Sequence, residues 1–297
     1  MTLDECRNFY SQEIRFIANP STPGLLEAFA RVPREHYLGP PPWQLGSPEQ
    51  RAVYVAGRGS FSYVSTEDPR DLYHNVVVGL DPAHDVNNGQ PTALARWIDA
   101  LQLKPGDRAY HLGCGVGYYT AIIAEIVGPQ GSVVGIELHS ELAARAKQNL
   151  SGYANVTVHS GDGSTFDPDA CDAMLINAGV THPLPIWLER LRENGRLVVP
   201  LTVVVNPAVP LGQGIMSRIL RTQGGYSAQM VSMVGIFSCA GARDAQLEPV
   251  MLKSLSTGAL LKLKSIRRDP HQQEDSCLVH GSEVCISSSE LVPNSAS

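Results

Sequence analysis

The residues most suited to chemistry lie between Arg108 and Glu137, where glycines and an acidic residue follow a regular spacing. An apolar segment, Arg108–Leu112, leads into the glycine loop 113–117 and then into a helical pattern that begins at Tyr118. A strand, a glycine loop and a helix N-terminus together present free backbone N–H groups and a positive dipole to a polar ligand. Glu137 ends the next apolar segment roughly 20 residues further on, where a carboxylate accepts hydrogen bonds from a ribose diol. We therefore predict that this loop binds a nucleoside-containing ligand.

The order of the glycines indicates which ligand the loop binds. A dinucleotide site has the pattern G-x-G-x-x-G, whose third glycine lies in the first helical turn, but that position is Tyr118 here. The observed G-x-G-x-G, followed by a strand that ends in an acid, is typical of S-adenosylmethionine (SAM) sites. We therefore predict SAM as the cofactor. The predicted SAM-binding residues of this segment are Gly113, Cys114, Gly115, Gly117, Tyr118, Glu137 and Leu138.

Composition limits the partners and the compartment. The 297 residues are 43% hydrophobic and 18% charged, which suits a folded protein with a sizeable core. The net charge of −6 provides no basic field for nucleic acid or an anionic membrane, and no apolar run reaches membrane-spanning length. Six scattered cysteines without a C-x-x-C pair are typical of reduced thiols. We predict a cytoplasmic protein without a nucleic-acid or membrane partner, and the sequence leaves the oligomeric state open.

The alternation of strands and helices predicts an α/β fold with a doubly wound, mostly parallel sheet. The strands are expected at Arg108–Leu112, Ser132–Glu137, Val156–His159, Ala173–Asn177 and Gly195–Leu201, and a hairpin turning at Gly224-Gly225 follows. This Rossmann-like order, ending in an antiparallel hairpin, is that of class I methyltransferases. Three parts are predicted: an N-terminal helical cap with a substrate loop (1–103), the SAM-binding core (104–238) and a C-terminal extension (239–297).

Local patterns outside the core predict further elements. A capping box at Thr2 begins a helix that ends near Ala18, and other helices are expected up to about Arg31, over Ala93–Leu101 and over Leu247–Leu255. The remaining expectations are strands at Arg51–Val55, Leu72–Leu80 and Leu260–Arg267, a polar turn at Asp81–Asn88, a hairpin within Cys277–Ile286 and a disordered Ser-rich tail at Ser287–Ser297.

Several motifs together resemble one family, the protein-L-isoaspartate O-methyltransferases, from about Phe29 to Phe237. The matching stretches are Val32-Pro33-Arg34-Glu35, Leu103–Arg108, Gly113–Tyr118, Gly161-Asp162-Gly163 and Gly195–Pro200. The resemblance implies SAM-dependent esterification of a carboxylate on a peptide or protein, with isoaspartyl residues as the family's usual substrate.

Two positions depart from that family. Its substrate loop carries a catalytic serine directly before the Gln-Pro step, whereas this chain has Gly89 before Gln90-Pro91. An acid usual two residues before the first loop glycine is replaced by His111. Two alternative functions therefore stay open, a small-molecule methyltransferase on the same scaffold and a SAM-binding protein without catalysis.

The remaining candidates form three groups, in which Asn88, Gln90 and His182 are the predicted catalytic residues. The others are predicted to bind the cofactor, namely Gly89, Asp162, Gly163 and Asn177. Asn88, Gly89 and Gln90 are expected to form a lid whose amides donate to a substrate carboxylate, although Asn-Asn-Gly also favours a simple turn. Asp162 and Gly163 are expected beside the adenine, or else form only an Asp-Gly turn. Asn177 and His182 follow the fourth core strand at the edge where ligands bind in open α/β sheets. His182 is the candidate base, with a purely structural role as the alternative.

The extension carries four residue types that bind zinc, namely His271, Cys277, His280 and Cys285. Their spacing is not that of a standard zinc finger, and a hairpin explains both cysteines as packed residues. The sequence-based prediction is therefore that the protein has no metal site.

Overall fold

The computed structural model describes residues 1–55, 61–81, 86–205 and 211–291. The helices and strands in chain order are α1 (Leu3–Ala18), α2 (Leu25–Arg31), β1 (Trp43–Gly46), α3 (Pro48–Val55), β2 (Val64–Thr66), β3 (Val77–Asp81), β4 (Val86–Asn87), α4 (Pro91–Ala100), β5 (Arg108–Leu112), α5 (Tyr118–Val127), β6 (Ser132–Glu137), α6 (Ser140–Asn149), β7 (Val156–Ser160), β8 (Cys171–Ile176), α7 (Pro185–Arg190), β9 (Leu191–Val203), β10 (Leu211–Thr222), β11 (Gly225–Phe237), α8 (Glu248–Ser256), β12 (Ser265–Arg267), β13 (Cys277–His280) and β14 (Cys285–Ser287).

The chain divides into two compact units. Unit 1 comprises Met1–Asp107 and Cys114–Gly161, and unit 2 comprises Arg108–Gly113 and Asp162–Ser297. The predicted three-part division of the chain stays a prediction. Among the described helices, none has both the length and the hydropathy required to cross a membrane.

Unit 1 combines helices with two sets of strands. α1 begins with the predicted capping box, in which Thr2 and Glu5 bond to each other's backbone N–H groups, and it packs against α2 and α4. The antiparallel sheet has the order β2-β1-β3-β4, and β6 pairs with β7 in parallel. α5 is buried along nearly its whole length, as its apolar sequence predicts.

Unit 2 contains the strands around which its helices pack. β5, β8 and β9 are parallel, and β10, β11, β12, β14 and β13 continue in that order with antiparallel pairing. The extension after Phe237 therefore adds three short strands to the hairpin β10–β11. The pairing of Thr222 with Gly225 places the two turn residues at Gln223-Gly224, one position before the predicted pair.

Two predicted strands of unit 1 are different in the structure. Residues 51–55 belong to helix α3, because Pro48 occupies its first turn and the Ser47 hydroxyl accepts from the Gln50 N–H at 3.3 Å. β3 begins only at Val77, since residues 69–72 form a 3-10 turn capped by Asp68. The turn prediction at 81–88 falls partly on residues 82–85, which lie outside the described residues, while Val86–Asn87 pairs with β3.

Two predictions for the extension also require correction. Of the strand expected at 260–267 only Ser265–Arg267 is extended, because Gly258, with a φ of +72°, begins a 3-10 turn over Ala259–Lys262. The tail is ordered at its start, where Ser287 ends β14 and the Ser288 N–H donates to the Ser276 carbonyl at 2.9 Å. Residues 292–297 of the tail lie outside the described residues.

His111 makes the stability of the fold depend on pH. Its side chain is buried in β5, and this burial lowers the pKa of the imidazole from 6.5 to about 4. The folded protein therefore holds a neutral His111 at pH 7. The unfolded chain takes up a proton on this histidine near pH 6.5. The contribution of the neutral His111 to the free energy of unfolding is therefore complete above that pH and is lost as the pH falls towards 4.

We expect His111→Leu to flatten the acid side of the stability profile. Between about pH 7 and pH 5 the free energy of unfolding of the wild type should fall by about 2 kcal/mol more than that of the variant. Denaturant titrations of both proteins at the two pH values measure this difference. Parallel profiles would contradict the burial of a neutral imidazole.

Candidate active site

The glycine loop of unit 1 is anchored at both ends. The Cys114 N–H donates to the Ile136 carbonyl at 3.2 Å, and the Gly117 N–H donates to the Cys114 carbonyl at 2.9 Å. Gly117 has a φ of +92° at the N-terminus of α5, and a Cβ there would lie 2.7 Å from Leu150 Cδ1. Both the backbone conformation and the close approach of Leu150 therefore require glycine at this position.

Glu137 ends β6 with its carboxylate turned to the loop. Oε2 accepts from the Gly115 N–H at 2.9 Å, and Oε1 accepts from the His139 N–H at 3.0 Å. A carboxylate has about four lone-pair sites, so these two bonds leave acceptor capacity for the two hydroxyls of a diol. The side chain is fixed by the backbone and still able to bind a ribose.

The surroundings of Gly115 and Leu138 also fit a bound cofactor. Gly115 has a φ of +56°, and a Cβ built on it meets no protein atom within 4 Å. Leu138 directly follows Glu137 and is 55% exposed. An open glycine, an anchored acid and an exposed apolar side chain suit a nucleoside with its flat, partly apolar base.

The other two predicted loop residues have buried side chains. Tyr118 packs edge-to-face against Phe29 and Tyr37, with ring centroids 6.3 and 5.6 Å away. Cys114 lies against Gly135, and its burial raises the pKa of its thiol. Both side chains therefore serve packing, and a nucleophilic role for Cys114 has no support.

In unit 2, Asn177 and Gly113 are hydrogen-bonded to each other. The Asn177 Nδ2 donates to the Gly113 carbonyl at 3.3 Å, and its N–H donates to the Leu112 carbonyl at 2.9 Å. Gly113 has a φ of +74°, and a Cβ there would be 3.1 Å from the Asn177 carbonyl oxygen. The end of β8 thus fixes the start of the glycine loop.

The Asp162-Gly163 turn lies against a residue of the C-terminal extension. Asp162 Oδ1 accepts from the Ser164 N–H at 2.9 Å, and the Gly163 carbonyl accepts from the Tyr110 hydroxyl at 3.3 Å. A Cβ on Gly241 would overlap Ser164 Oγ and come within 2.9 Å of Asp162 Oδ2. Sequence reasoning missed Gly241, because the family resemblance ends before it.

His182 lies among polar groups of unit 2. Its Nδ1 is 2.9 Å from Thr181 Oγ1, which also accepts from the Asp244 N–H at 3.0 Å. Burial lowers the pKa of His182, while Asp244 and Glu283 raise it in part. The imidazole is therefore a neutral base at pH 7, positioned by the extension.

Asn88, the first lid candidate, has a fixed orientation. Its Oδ1 accepts from Arg34 Nη2 at 3.3 Å and from the Val78 N–H at 2.9 Å. Since both partners only donate, the oxygen must face them and the Nδ2 group must point away. Nδ2 is buried and has no hydrogen-bond partner within the described part of the chain. A buried unpaired donor costs about 1–3 kcal/mol, which a substrate acceptor would recover.

Arg34 is the residue that sequence reasoning missed on the substrate side. It is fully buried, and besides Asn88 it donates to the carbonyl oxygens of Leu72, His74 and Val76. Its only signal in the sequence is the Val-Pro-Arg element, which the resemblance includes without a role. Arg34 therefore fixes the orientation of the Asn88 side chain through its hydrogen bond to Oδ1.

Gly89 and Gln90 have different roles in the lid. The Gly89 N–H donates to Asn87 Oδ1 at 2.9 Å, and its carbonyl accepts from the Tyr119 hydroxyl at 3.3 Å. Gly89 has a φ of +80°, and a Cβ there would be 2.9 Å from Leu94 Cδ2. This loop conformation therefore requires glycine at position 89. Gln90 precedes α4, and its Nε2 donates to Thr92 Oγ1 at 3.2 Å.

Comparisons with known proteins agree on one family. The family model for protein-L-isoaspartate(D-aspartate) O-methyltransferase (PCMT) matches residues 51–226. The chain is 37% identical over 166 residues to the protein-L-isoaspartate O-methyltransferase of Ignicoccus hospitalis, covering 53% of this chain and 75% of that protein. It is 38% identical over 146 residues to protein-L-isoaspartate O-methyltransferase 1 of Archaeoglobus fulgidus, covering 45% and 67%.

Two solved structures share the fold. One is a protein-L-isoaspartate O-methyltransferase with a TM-score of 0.63 and 20% identity, covering 84% of this chain and 70% of that one. The other, described as a Plasmodium falciparum enzyme of this name in complex with S-adenosyl-L-homocysteine, has a TM-score of 0.57 and 17% identity and covers 79% and 98%. The predicted α/β methyltransferase fold is confirmed.

We expect Gly89→Ser to destabilise the protein. The left-handed φ and the approach of Leu94 should together lower the free energy of unfolding by about 1–3 kcal/mol. Adding Leu94→Ala removes the contact but keeps the φ, so Gly89→Ser should cost less stability in a Leu94→Ala background than in the wild type. Denaturant titration of the wild type, the two single variants and the double variant separates the cost of the φ angle from the cost of the Leu94 contact. An unchanged stability in Gly89→Ser would contradict the loop geometry.

We expect Gly115→Ala to weaken binding of S-adenosyl-L-homocysteine by more than about tenfold, because the methyl group enters the open space beside Glu137. Gly24→Ala is the matched control, since Gly24 also has a positive φ and no atom near its Cβ. Calorimetry should find the affinity of the control unchanged. Equal affinities in both folded variants would mean that the ligand does not approach Gly115.

Proposed function

Since the chain belongs to the protein-L-isoaspartate(D-aspartate) O-methyltransferase family, we infer that it transfers a methyl group from SAM to the carboxylate of an isoaspartyl residue in a peptide or protein. The observation that carries this inference is the family match over residues 51–226. That range contains the lid, the glycine loop and Glu137. The acceptor is therefore a peptide or protein.

We propose specific roles for the residues on the cofactor side. Glu137 binds the ribose hydroxyls, and Leu138 packs on the base. Asp162 accepts from the exocyclic amine of the adenine. The loop residues Gly113–Gly117 contact the cofactor through backbone atoms, and Asn177 holds the start of this loop. When bound, SAM supplies a methyl group attached to a positively charged sulfur.

The nucleophile needs little activation. A carboxylate with a pKa of about 4 is already ionised at pH 7, so the protein has to orient it and exclude water. A phenol or alcohol would instead require a base within hydrogen-bond reach. His182 is neutral and would suit that second chemistry, but an isoaspartyl substrate does not require it.

We propose that Asn88 replaces the hydroxyl that the family's serine provides. Its Nδ2 is an unpartnered donor among the described residues, and Arg34 and Val78 hold its orientation. An amide donor of this kind can bind one oxygen of the substrate carboxylate. Gln90 is the neighbouring candidate, although Thr92 already accepts from its amide.

We also propose a cytoplasmic location. All six cysteines are free thiols, and five of them are buried. Such thiols persist in a reducing compartment.

Peptides with matched isoaspartyl and aspartyl residues test the substrate. With labelled SAM, we expect base-labile methyl esters to form on the isoaspartyl peptide and not on its aspartyl isomer. Turnover of small-molecule acceptors alone would favour the alternative enzyme. SAM binding without turnover of any acceptor would favour a non-catalytic protein.

We expect Asn88→Asp to lower kcat/KM for the isoaspartyl peptide by about 100-fold or more. The variant keeps an oxygen for Arg34 and Val78 but turns the free donor into an acceptor that repels the substrate carboxylate. Asn88→Ala removes both contacts and should lower kcat/KM and stability together. Affinity for SAM should stay within about twofold in Asn88→Asp. A fully active Asn88→Asp would exclude this positioning role.

A further inference from the structure

Four metal-ligating side chains of unit 2 meet in the C-terminal extension, outside the residues assigned to methyl transfer. They form what we call the Cys2His2 cluster, which consists of His271, Cys277, His280 and Cys285. One ligand atom of each lies within 4.8 Å of the others. The hairpin β13–β14 brings three of them together. His280 in β13 pairs directly with Cys285 in β14, and Cys277 is the first residue of β13. The fourth, His271, comes from the segment before β13.

The measured separation fits a tetrahedral ion. Zn–S bonds of about 2.3 Å and Zn–N bonds of about 2.0–2.1 Å place neighbouring ligand atoms roughly 3.3–3.8 Å apart. Cys277 Sγ and His271 Nε2 are 3.6 Å apart. A small inward movement of the remaining atoms would complete the tetrahedron.

His271 has the orientation that a metal ligand requires. Its Nδ1 lies 2.7 Å from the Asp269 carbonyl oxygen, and since a carbonyl only accepts, Nδ1 carries the proton. The lone pair of Nε2 therefore points to Cys277. Metal-binding histidines usually fix their tautomer through such a bond to a carbonyl. The side chain is only 9% exposed, although residues 272–275 next to it are exposed.

Other polar atoms of the cluster point to the same ligand. The Glu274 N–H donates to Cys277 Sγ at 3.3 Å, which fixes the position of the sulfur atom. The Nδ1 atom of His280 is buried and has no hydrogen-bond partner within the described part of the chain. Packing alone gives no reason to bury an unpaired ring nitrogen on a residue that lies in a cluster with two thiols.

We propose that the Cys2His2 cluster binds one Zn²⁺ ion. Two cysteines and two histidines are a soft, tetrahedral ligand set that favours zinc over magnesium or calcium. All four positions come from the protein, so the ion is structural and leaves no place for a reacting water. Binding converts the two thiols to thiolates and releases their two protons to solvent, which leaves an uncharged complex. The prediction of no metal rested on linear spacing, whereas strand pairing supplies the geometry.

The ion would stabilise elements that are short by themselves. β12, β13 and β14 contain three, four and three residues, and strands of this length have little independent stability. A zinc ion ties His271 to both strands of the hairpin. Its binding free energy then adds to the stability of the extension.

Metal content of the untagged, full-length chain tests the proposal directly. Purified without chelator, the wild type should contain about one zinc ion per chain. Cys277→Ser and His280→Ala should each lose most of it. Cys239→Ser is the matched control, because Cys239 is a buried thiol of the same unit outside the cluster, and it should keep its zinc.

A second measurement covers variants that fail to fold. Removal of zinc from the wild type with a chelator should lower its Tm, and zinc alone should restore it. Co²⁺ added to the metal-free chain should produce the visible absorption of tetrahedral cobalt with thiolate ligands. A wild type that holds no zinc and gives no such absorption would overturn the proposal. A Cys277–Cys285 disulfide in the isolated protein, found by mass spectrometry, would overturn it as well.

Discussion

The conformation of segment 72–76 and of the Asn88 side chain depends on one buried charge, the guanidinium of Arg34. Burying such a group costs several kcal/mol unless its donors are satisfied. Here the two Nη atoms donate to three carbonyls of segment 72–76 and to the side-chain oxygen of Asn88, while Nε has no hydrogen-bond partner among the described residues. The guanidinium also lies over the ring of Tyr10, with Cζ 5.8 Å from the ring centroid. The fold of the segment and the direction of the Asn88 amide are therefore set together.

The same loop explains why position 89 is occupied by glycine. Gly89 adopts a left-handed φ that a serine would adopt only with strain, and its neighbour Leu94 occupies the adjacent space. Asn88, one residue earlier, carries the amide that Arg34 and Val78 orient and that is proposed to bind the substrate carboxylate. The glycine conformation at position 89 and the orientation of the Asn88 amide are thus two features of one loop.

The sequence predicted what is local and periodic, and missed what depends on distant partners. The glycine loop, its helix and the acid Glu137 follow from spacing over about thirty residues. β3 was predicted too long, because the carbonyls before Val77 turn to Arg34 rather than to a neighbouring strand. The strand predicted at 51–55 is wrong, because the cap at Ser47 and Pro48 in the first turn favour a helix. The side chain of Arg34 bonds to acceptors that are 38 to 54 residues away in the sequence. No short window of sequence contains both the cation and these acceptors.

The C-terminal extension obeys the same logic within unit 2. Gly241 packs on the Asp162 turn, and Asp244 shares the Thr181 hydroxyl with His182. Gly241 and Asp244 are each more than 60 positions from the residues they contact, so the extension packs against both the Asp162 turn and the segment that carries His182. Its own strands are too short to hold this arrangement through backbone pairing alone. A cross-link between β13, β14 and the segment that carries His271, as proposed for the Cys2His2 cluster, would make this part of the extension more rigid without enlarging the hydrophobic core.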